Sequence, residues 1–257
     1  MTFGVFPVNR PILDPGGDLV MNLYVMPDQF LILISVLFAF LATCRFALNL
    51  GIIDRPLALG LSFGAVTGRW QEGLGITIFY ELIWLDQFSA GTFVPPNSVL
   101  STCLALGLTE YFGLVEARTI VLPLIIGIPM ALIGARLEIC QRRWQDSGYN
   151  ALVRWARKSH RTISDVGSPE RLIVISLLQI FGCNLVFFGV VLLTCIGILD
   201  YLKILDGLLA LHLPLEWGHL WFLATIGPLL SLRIWSFYAT VVVGITLIVL
   251  LGILCRT

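Results

Sequence analysis

The chain has 257 residues, long enough for one or two soluble domains, yet 58% of them are apolar and the mean hydropathy is +0.92. Charged residues make up 12%, about half the share usual in soluble proteins, which excludes an ordinary soluble domain. The formal net charge of zero carries no sign of a nucleic-acid partner, and none is expected. Several apolar runs approach or exceed about 18 residues, so the sequence reads as an all-α, polytopic membrane protein in the lipid bilayer. The runs are continuous rather than alternating, which excludes a transmembrane β-barrel.

Residues 1–27, with Pro7, Pro11, Pro15, Gly16 and Gly17, read as a loosely ordered N-terminal extension. A basic start followed by an apolar run is missing, so this is not a secretory signal. Met21 and Met26 stand just before the first apolar run, and either is a possible physiological start.

Residues 28–135 form the first membrane region. The first span is expected over residues 30–53, with Arg45 and Asn49 in its later part. Two short apolar segments follow, 56–67 and 74–85, separated by a polar turn of Gly68, Arg69, Trp70, Gln71, Glu72 and Gly73. A helix of a dozen residues covers roughly 18–20 Å, short of the roughly 30 Å hydrocarbon core. The pattern therefore predicts a short re-entrant or broken helical hairpin whose backbone is sheltered by protein. Glu81 lies inside the second segment, where an ionisable group needs a polar cavity or a partner. A Gly-rich polar run leads to Val94-Pro95-Pro96-Asn97, and Asn97-Ser98 starts a further short apolar helix over residues 98–109. After a polar break at 110–118, residues 119–135 are apolar but hold Gly127, Pro129 and Gly134, which predicts a kinked helix.

Residues 136–171 carry Arg136, Arg142, Arg143, Arg154, Arg157, Lys158, Arg161 and Arg171, half of the 16 Lys and Arg in the chain. The positive-inside rule places this basic segment in the cytoplasm. Its first part keeps helical spacing of Leu137, Cys140, Trp144, Ala151 and Trp155, so a helix leaving the membrane is expected. Ser168 and Pro169 read as the cap and first position of the next helix. The second membrane region, residues 172–257, holds one long span over 172–199, an amphipathic interfacial stretch over 200–216, and two apolar segments over 217–232 and 235–254. Trp217, Trp221 and Trp235 read as membrane–water anchors. Cys44, Cys103, Cys140, Cys183, Cys195 and Cys255 are scattered without metal spacing and read as small buried residues, not disulfides. His160, His212 and His219 neighbour no Ser, Cys or acid in a catalytic arrangement. No metal site, cofactor or phosphate-binding loop is expected.

The block from Arg55 to Asn97 resembles the membrane subunit IIC of the mannose/fructose/sorbose family of the bacterial phosphoenolpyruvate-dependent sugar phosphotransferase system. That family carries Arg-Pro-Leu, then Gly-Asp and a Gly in a hairpin turn, a Leu-Gln/Glu-x-Ile segment, and Gly-Ala-x-Val-x-Pro-Asp. The counterparts are Arg55-Pro56-Leu57, Gly68, Gly73, Glu81-Leu82-Ile83, Leu85, Gly91, Val94, Pro96 and Asn97, aligned without a gap. The chain departs at Arg69, where the family has an acid, at Glu72, near its Thr, at Asp86 for a Gly, and at Asn97 for the Asp. Pro228 and Arg233 interrupt the counterpart of a Gly-rich helix. The resemblance implies a sugar permease subunit of the bacterial inner membrane, oligomeric, working with a related IID subunit while soluble IIA and IIB components carry the phosphate. It implies a transporter, not an enzyme. The alternative is a divergent IIC-like protein that assembles with partners and senses without transporting.

Under that resemblance Glu81 accepts hydrogen bonds from sugar hydroxyls, up to two per carboxylate. Its structural alternative is an ion pair with Arg69 or Arg233. Asn97 is either a sugar ligand or a helix cap. Asp86 and Gln87 are further sugar contacts. Arg69 and Glu72 read as solvated turn charges.

Overall fold

The computed structural model describes residues 27–48, 55–87, 94–159, 169–202 and 215–231. They form helices and no strand: α1 (Pro27–Leu48), α2 (Pro56–Thr67), α3 (Trp70–Ile83), α4 (Ser98–Tyr111), α5 (Ala117–Ser159), α6 (Pro169–Leu202) and α7 (Trp217–Ser231). The extension before Pro27, the loop at 160–168, most of the interfacial stretch and the segment 235–254 lie outside the described residues, as do His160, His212, Arg233 and Trp235.

The fold is built around α4. Every residue from Val99 to Thr109 is buried, as expected for a helix apolar on all sides. Two of its hydroxyls bond back to the helix itself: Ser101 Oγ and Thr102 Oγ1 both donate to Ser98 O, at 2.9 and 2.8 Å. Helices α1, α2, α3, α5 and α6 all pack on it. At 14 residues α4 is about 21 Å long, well under the hydrocarbon thickness. A helix this short and this buried is held in place by its neighbours, not by lipid.

Among the described residues, two helices are long and apolar enough to cross a membrane by length and composition, Ala117–Asn150 within α5 and Ile173–Tyr201 within α6. Their outer faces, and that of α1, leave large apolar side chains exposed. Ile32, Leu33, Val36 and Phe40 line one side of α1, and Leu178, Val186, Val190 and Leu193 one side of α6. Spacings of mostly three, four or eight residues set them in stripes of the kind a membrane protein turns to acyl chains. Inside, Phe38 of α1 stacks on Phe188 of α6 with ring centroids 4.7 Å apart.

Helix α5 runs on from the apolar segment into the basic one, as the helical spacing there predicts. It is a single 43-residue helix, about 64 Å long, continuous through Pro123, Gly127, Pro129 and Gly134. Its basic half exposes Arg136, Arg142 and Arg143. Near the middle, Glu138 joins Arg142 at 2.6 Å and Arg45 of α1 at 3.7 Å. Beyond that point α5 and α6 are joined by neutral polar contacts: Asn184 Nδ2 donates to Gln141 Oε1 at 3.5 Å and Gln145 Nε2 to Ser176 Oγ at 3.1 Å.

The tryptophans of α7 pack inward. Trp217 is buried and Trp221 half-buried, both against α3. Gly75 is the reason. A Cβ there would lie 2.6 Å from the Trp217 ring, so its absence makes a socket for the indole. Trp221 Nε1 donates to Gly75 O at 3.1 Å. His219 is used locally, its Nδ1 accepting from Glu216 N at 3.2 Å. The described cysteines are free; Cys103 and Cys195 are buried as expected, whereas Cys140 is exposed on α5.

Candidate functional site

Helix α2 begins at Pro56, whose fixed φ suits a first helical position, and Arg55 before it is extended. It ends at Gly68, which takes a left-handed φ of 73° and returns its N–H to Gly64 O at 2.9 Å. Helix α3 then starts at Trp70, so the turn is two residues, Gly68 and Arg69, rather than the six predicted. Trp70 folds back over Gly64, which brings Gln71, Glu72 and Gly73 into the first turn of α3. The two helices run antiparallel and nearly touch: a Cβ on Gly60 would sit 2.2 Å from Thr77 Oγ1 and 2.8 Å from Gly73 O.

The tip of this hairpin is not solvated. Arg69 Nη1 donates to Glu110 Oε2 at 2.8 Å, its Nε and Nη2 reach Glu72 Oε1 at 3.4 and 3.3 Å, and Nη2 also donates to Leu114 O. Glu72 is buried, and Arg69 and Glu110 are half-buried. The end of α4 and the turn into α5 converge here, and charges taken out of water are paired as burial requires. The predicted solvated turn is therefore a packed ion cluster.

The other end of α3 holds the predicted site residues. Because α4 runs back alongside α3, Glu81 near the end of α3 and Asn97 at the start of α4 lie at the same end of the hairpin, away from the Arg69 cluster. One step inward, α3 is bonded to α5. Tyr80 is fully buried and its hydroxyl donates to Leu124 O at 2.9 Å, over Gly127, whose missing side chain also admits Ser101 O.

Among the described residues Glu81 pairs with Arg55, not with Arg69. Its Oε1 accepts from Arg55 Nη1 at 2.9 Å, and the pair is partly exposed, 48% for Arg55 and 25% for Glu81. Its second oxygen, Oε2, is buried and has no hydrogen-bond partner among the described residues. The same holds for Trp84 Nε1, one turn further on. A buried acceptor and a buried donor left unmet are the exception in folded proteins. Trp84 caps α3, its own N–H returning to Tyr80 O, and Leu85 and Gln87 continue the turn through Leu82 O and Trp84 O. Asp86 and Gln87 are half-buried on that turn, directly beside Glu81 and Trp84 in sequence.

Asn97 acts as the cap of α4: its Oδ1 accepts from Leu100 N at 3.0 Å, while its backbone N–H donates to Ala131 O at 3.0 Å. It is buried, against Gly134 of α5. So the structure gathers Glu81, Asp86, Gln87 and Asn97 at one end of the hairpin, shows the cap at Asn97, and adds Arg55 and Trp84. Sequence reasoning missed Arg55 as a partner although it opens the Arg-Pro-Leu motif, because a separation of 26 residues gives no preference over Arg69 or Arg233. No group of three or more His, Cys, Asp or Glu with metal-holding geometry occurs among the described residues.

A family model described as the sorbose-specific IIC component of the PTS matches residues 29–203. No curated protein matches the sequence. A solved structure entitled "Structure of membrane protein" superposes with a TM-score of 0.53 at 18% identity, covering 88% of this chain and 92% of that one. At that identity the likeness concerns the fold alone.

Proposed function

Because this chain belongs to the sorbose-specific IIC family of the phosphotransferase system, a family of membrane transporter components, we propose that it is a permease subunit that carries a hexose-like sugar. In this reading it sits multi-pass in the bacterial inner membrane and works with a IID-type subunit. The basic segment of residues 136–171 faces the cytoplasm and the soluble IIA and IIB components that hold the phosphate. The sugar binds at the open end of the α2–α3 hairpin, against Glu81, with Asp86, Gln87 and the amide of Asn97 as further contacts. Movement of one helical group against another then exposes it to either side.

One observation carries the reading: a carboxylate oxygen, Glu81 Oε2, is buried with no partner among the described residues, at the end of a half-length helix in a membrane protein. Such an atom is costly unless something polar meets it, and intramembrane ionisable groups mark substrate paths. Two of the departures from the family pattern have structural employment. Arg69 organises the tip cluster, and Asn97 accepts the same N–H that an Asp would. Neither requires loss of transport.

The test is uptake of labelled sorbose, mannose and fructose by membrane vesicles holding this chain with its partner subunits, loaded with phosphoenolpyruvate and the soluble components. Accumulation of sugar phosphate that disappears when this chain is omitted is expected. Equal accumulation with and without it would refute the assignment.

A further inference from the structure

One face of α5 changes chemistry along its length. Ile125, Leu132 and Ile133 are exposed on it, as apolar side chains facing acyl chains are. Arg136, Cys140 and Arg143 continue the same face and are exposed in turn. Spacings of three, four and seven residues keep all six on one side of the helix. Arg136 and Arg143 are nearly two full turns apart, about 10.5 Å along the axis. Gln141 and Gln145, which bond α6, lie on the other side of α5.

Both arginines lack a counter-charge of their own. Glu138 is shared by Arg142 and Arg45, and neither Arg136 nor Arg143 has an ion-pair partner among the described residues, Asp146 one turn on included. Their level along the fold is still an apolar one. Gln141 meets Asn184 and Gln145 meets Ser176, so α5 and α6 run antiparallel and Ser176 marks the level of Gln145, beyond both arginines. Around Ser176 the side chains of Ile173, Val174, Ile175 and Leu178 are all exposed, a surface suited to acyl chains. Cations at such a level need an anion beside them. A phospholipid supplies both parts, chains for the apolar stripe and a phosphodiester that a guanidinium binds bidentately. A zwitterionic headgroup would bring a third cation to the two arginines, so a net negative one is favoured.

We infer that Arg136 and Arg143 hold the headgroup of an anionic phospholipid whose acyl chains lie along Ile125, Leu132 and Ile133. The stripe runs without a break from apolar to basic, as the lipid does from chain to headgroup. This goes beyond the transport reading and does not depend on it, since it needs only that α5 sits in a bilayer.

The test places a bimane on Cys140, between the two arginines, in the full chain keeping that cysteine alone. The chain is held in phosphatidylcholine vesicles, with and without its partner membrane subunit. The probes are phosphatidylglycerol and phosphatidylcholine, each spin-labelled on an acyl chain close to the headgroup, which quench the bimane on contact. Phosphatidylglycerol should quench with an apparent affinity about tenfold or more above that of phosphatidylcholine, the scale of two arginines against an anionic lipid. In the double variant Arg136→Gln with Arg143→Gln, the two lipids should come within about twofold of each other. Arg142→Gln, on another side of α5, should keep the preference. Equal quenching by the two lipids in the parent chain overturns the proposal, as does an unchanged preference in the double variant. Quenching by neither lipid once the partner subunit is present means that protein covers this face, and overturns it too. Should the double variant lose its thermal transition, salt decides on the parent chain: a severalfold loss of preference at about 1 M salt supports the proposal, and an unchanged preference overturns it.

Discussion

Asn97 stands where the family has Asp, and the structure shows why the exchange is mild. Either side chain offers an oxygen to Leu100 N, so the start of α4 is capped in both cases. Asn97→Asp should leave the thermal midpoint of the purified protein nearly unchanged. Asn97→Ala should lower stability by about 1 kcal/mol, the usual loss of a cap. A larger fall in the Asp variant than in the Ala variant would show that the amide, not the cap, matters. The cap was readable from sequence because it is a local signal, a polar residue directly before an apolar run. The partner of Glu81 was not, since a side chain can reach any cation the fold brings near. Trp84 escaped notice because an indole in an apolar segment reads as packing, and only the lack of a partner for its Nε1 among the described residues sets it apart.

Helices α2 and α3 were legible as elements, and the bounds of α2 follow directly from Arg55-Pro56 and Gly68. The turn between them was misjudged for a physical reason. Polar residues after Gly68 resemble a loop, but Trp70 docks on Gly64 and restarts the helix at once, while Glu72 gains a place in the first turn, favourable for an acid. The cluster at this tip makes a sharp prediction. Arg69→Ala leaves Glu72 and Glu110 without their common cation and should cost about 3 kcal/mol or more, as removing one member of a buried ion pair does. The swapped double variant, Arg69→Glu with Glu110→Arg, should regain part of it in thermal unfolding. If Arg69→Ala unfolds at the wild-type temperature, the cluster is not holding α3 to α4. Close approach within the hairpin gives a second handle: Gly60→Val should drive α2 from α3 and cost roughly 1–3 kcal/mol.

The all-α membrane class was readable from composition, and the central position of α4 was not, since a short apolar helix looks the same whether it is surrounded by protein or by lipid. Its burial follows from five neighbours that only the tertiary fold supplies. Trp217 and Trp221 illustrate the same limit: a tryptophan at the start of an apolar helix fits the membrane boundary equally well, until Gly75 opens a socket for it. The proposed orientation is testable through Cys140, exposed on the basic half of α5. In a variant keeping Cys140 alone, a membrane-impermeant maleimide should label inverted vesicles and spare right-side-out ones; the opposite pattern would reverse the topology. The central claim, that this membrane protein moves a sugar past the carboxylate of Glu81, is tested most directly by Glu81→Gln. Phosphoenolpyruvate-dependent uptake of labelled sugar, normalised to inserted protein, should fall at least about tenfold, as expected when a charge-assisted hydrogen bond to substrate becomes a neutral one. Uptake at the wild-type rate from a fully inserted Glu81→Gln protein would contradict the account.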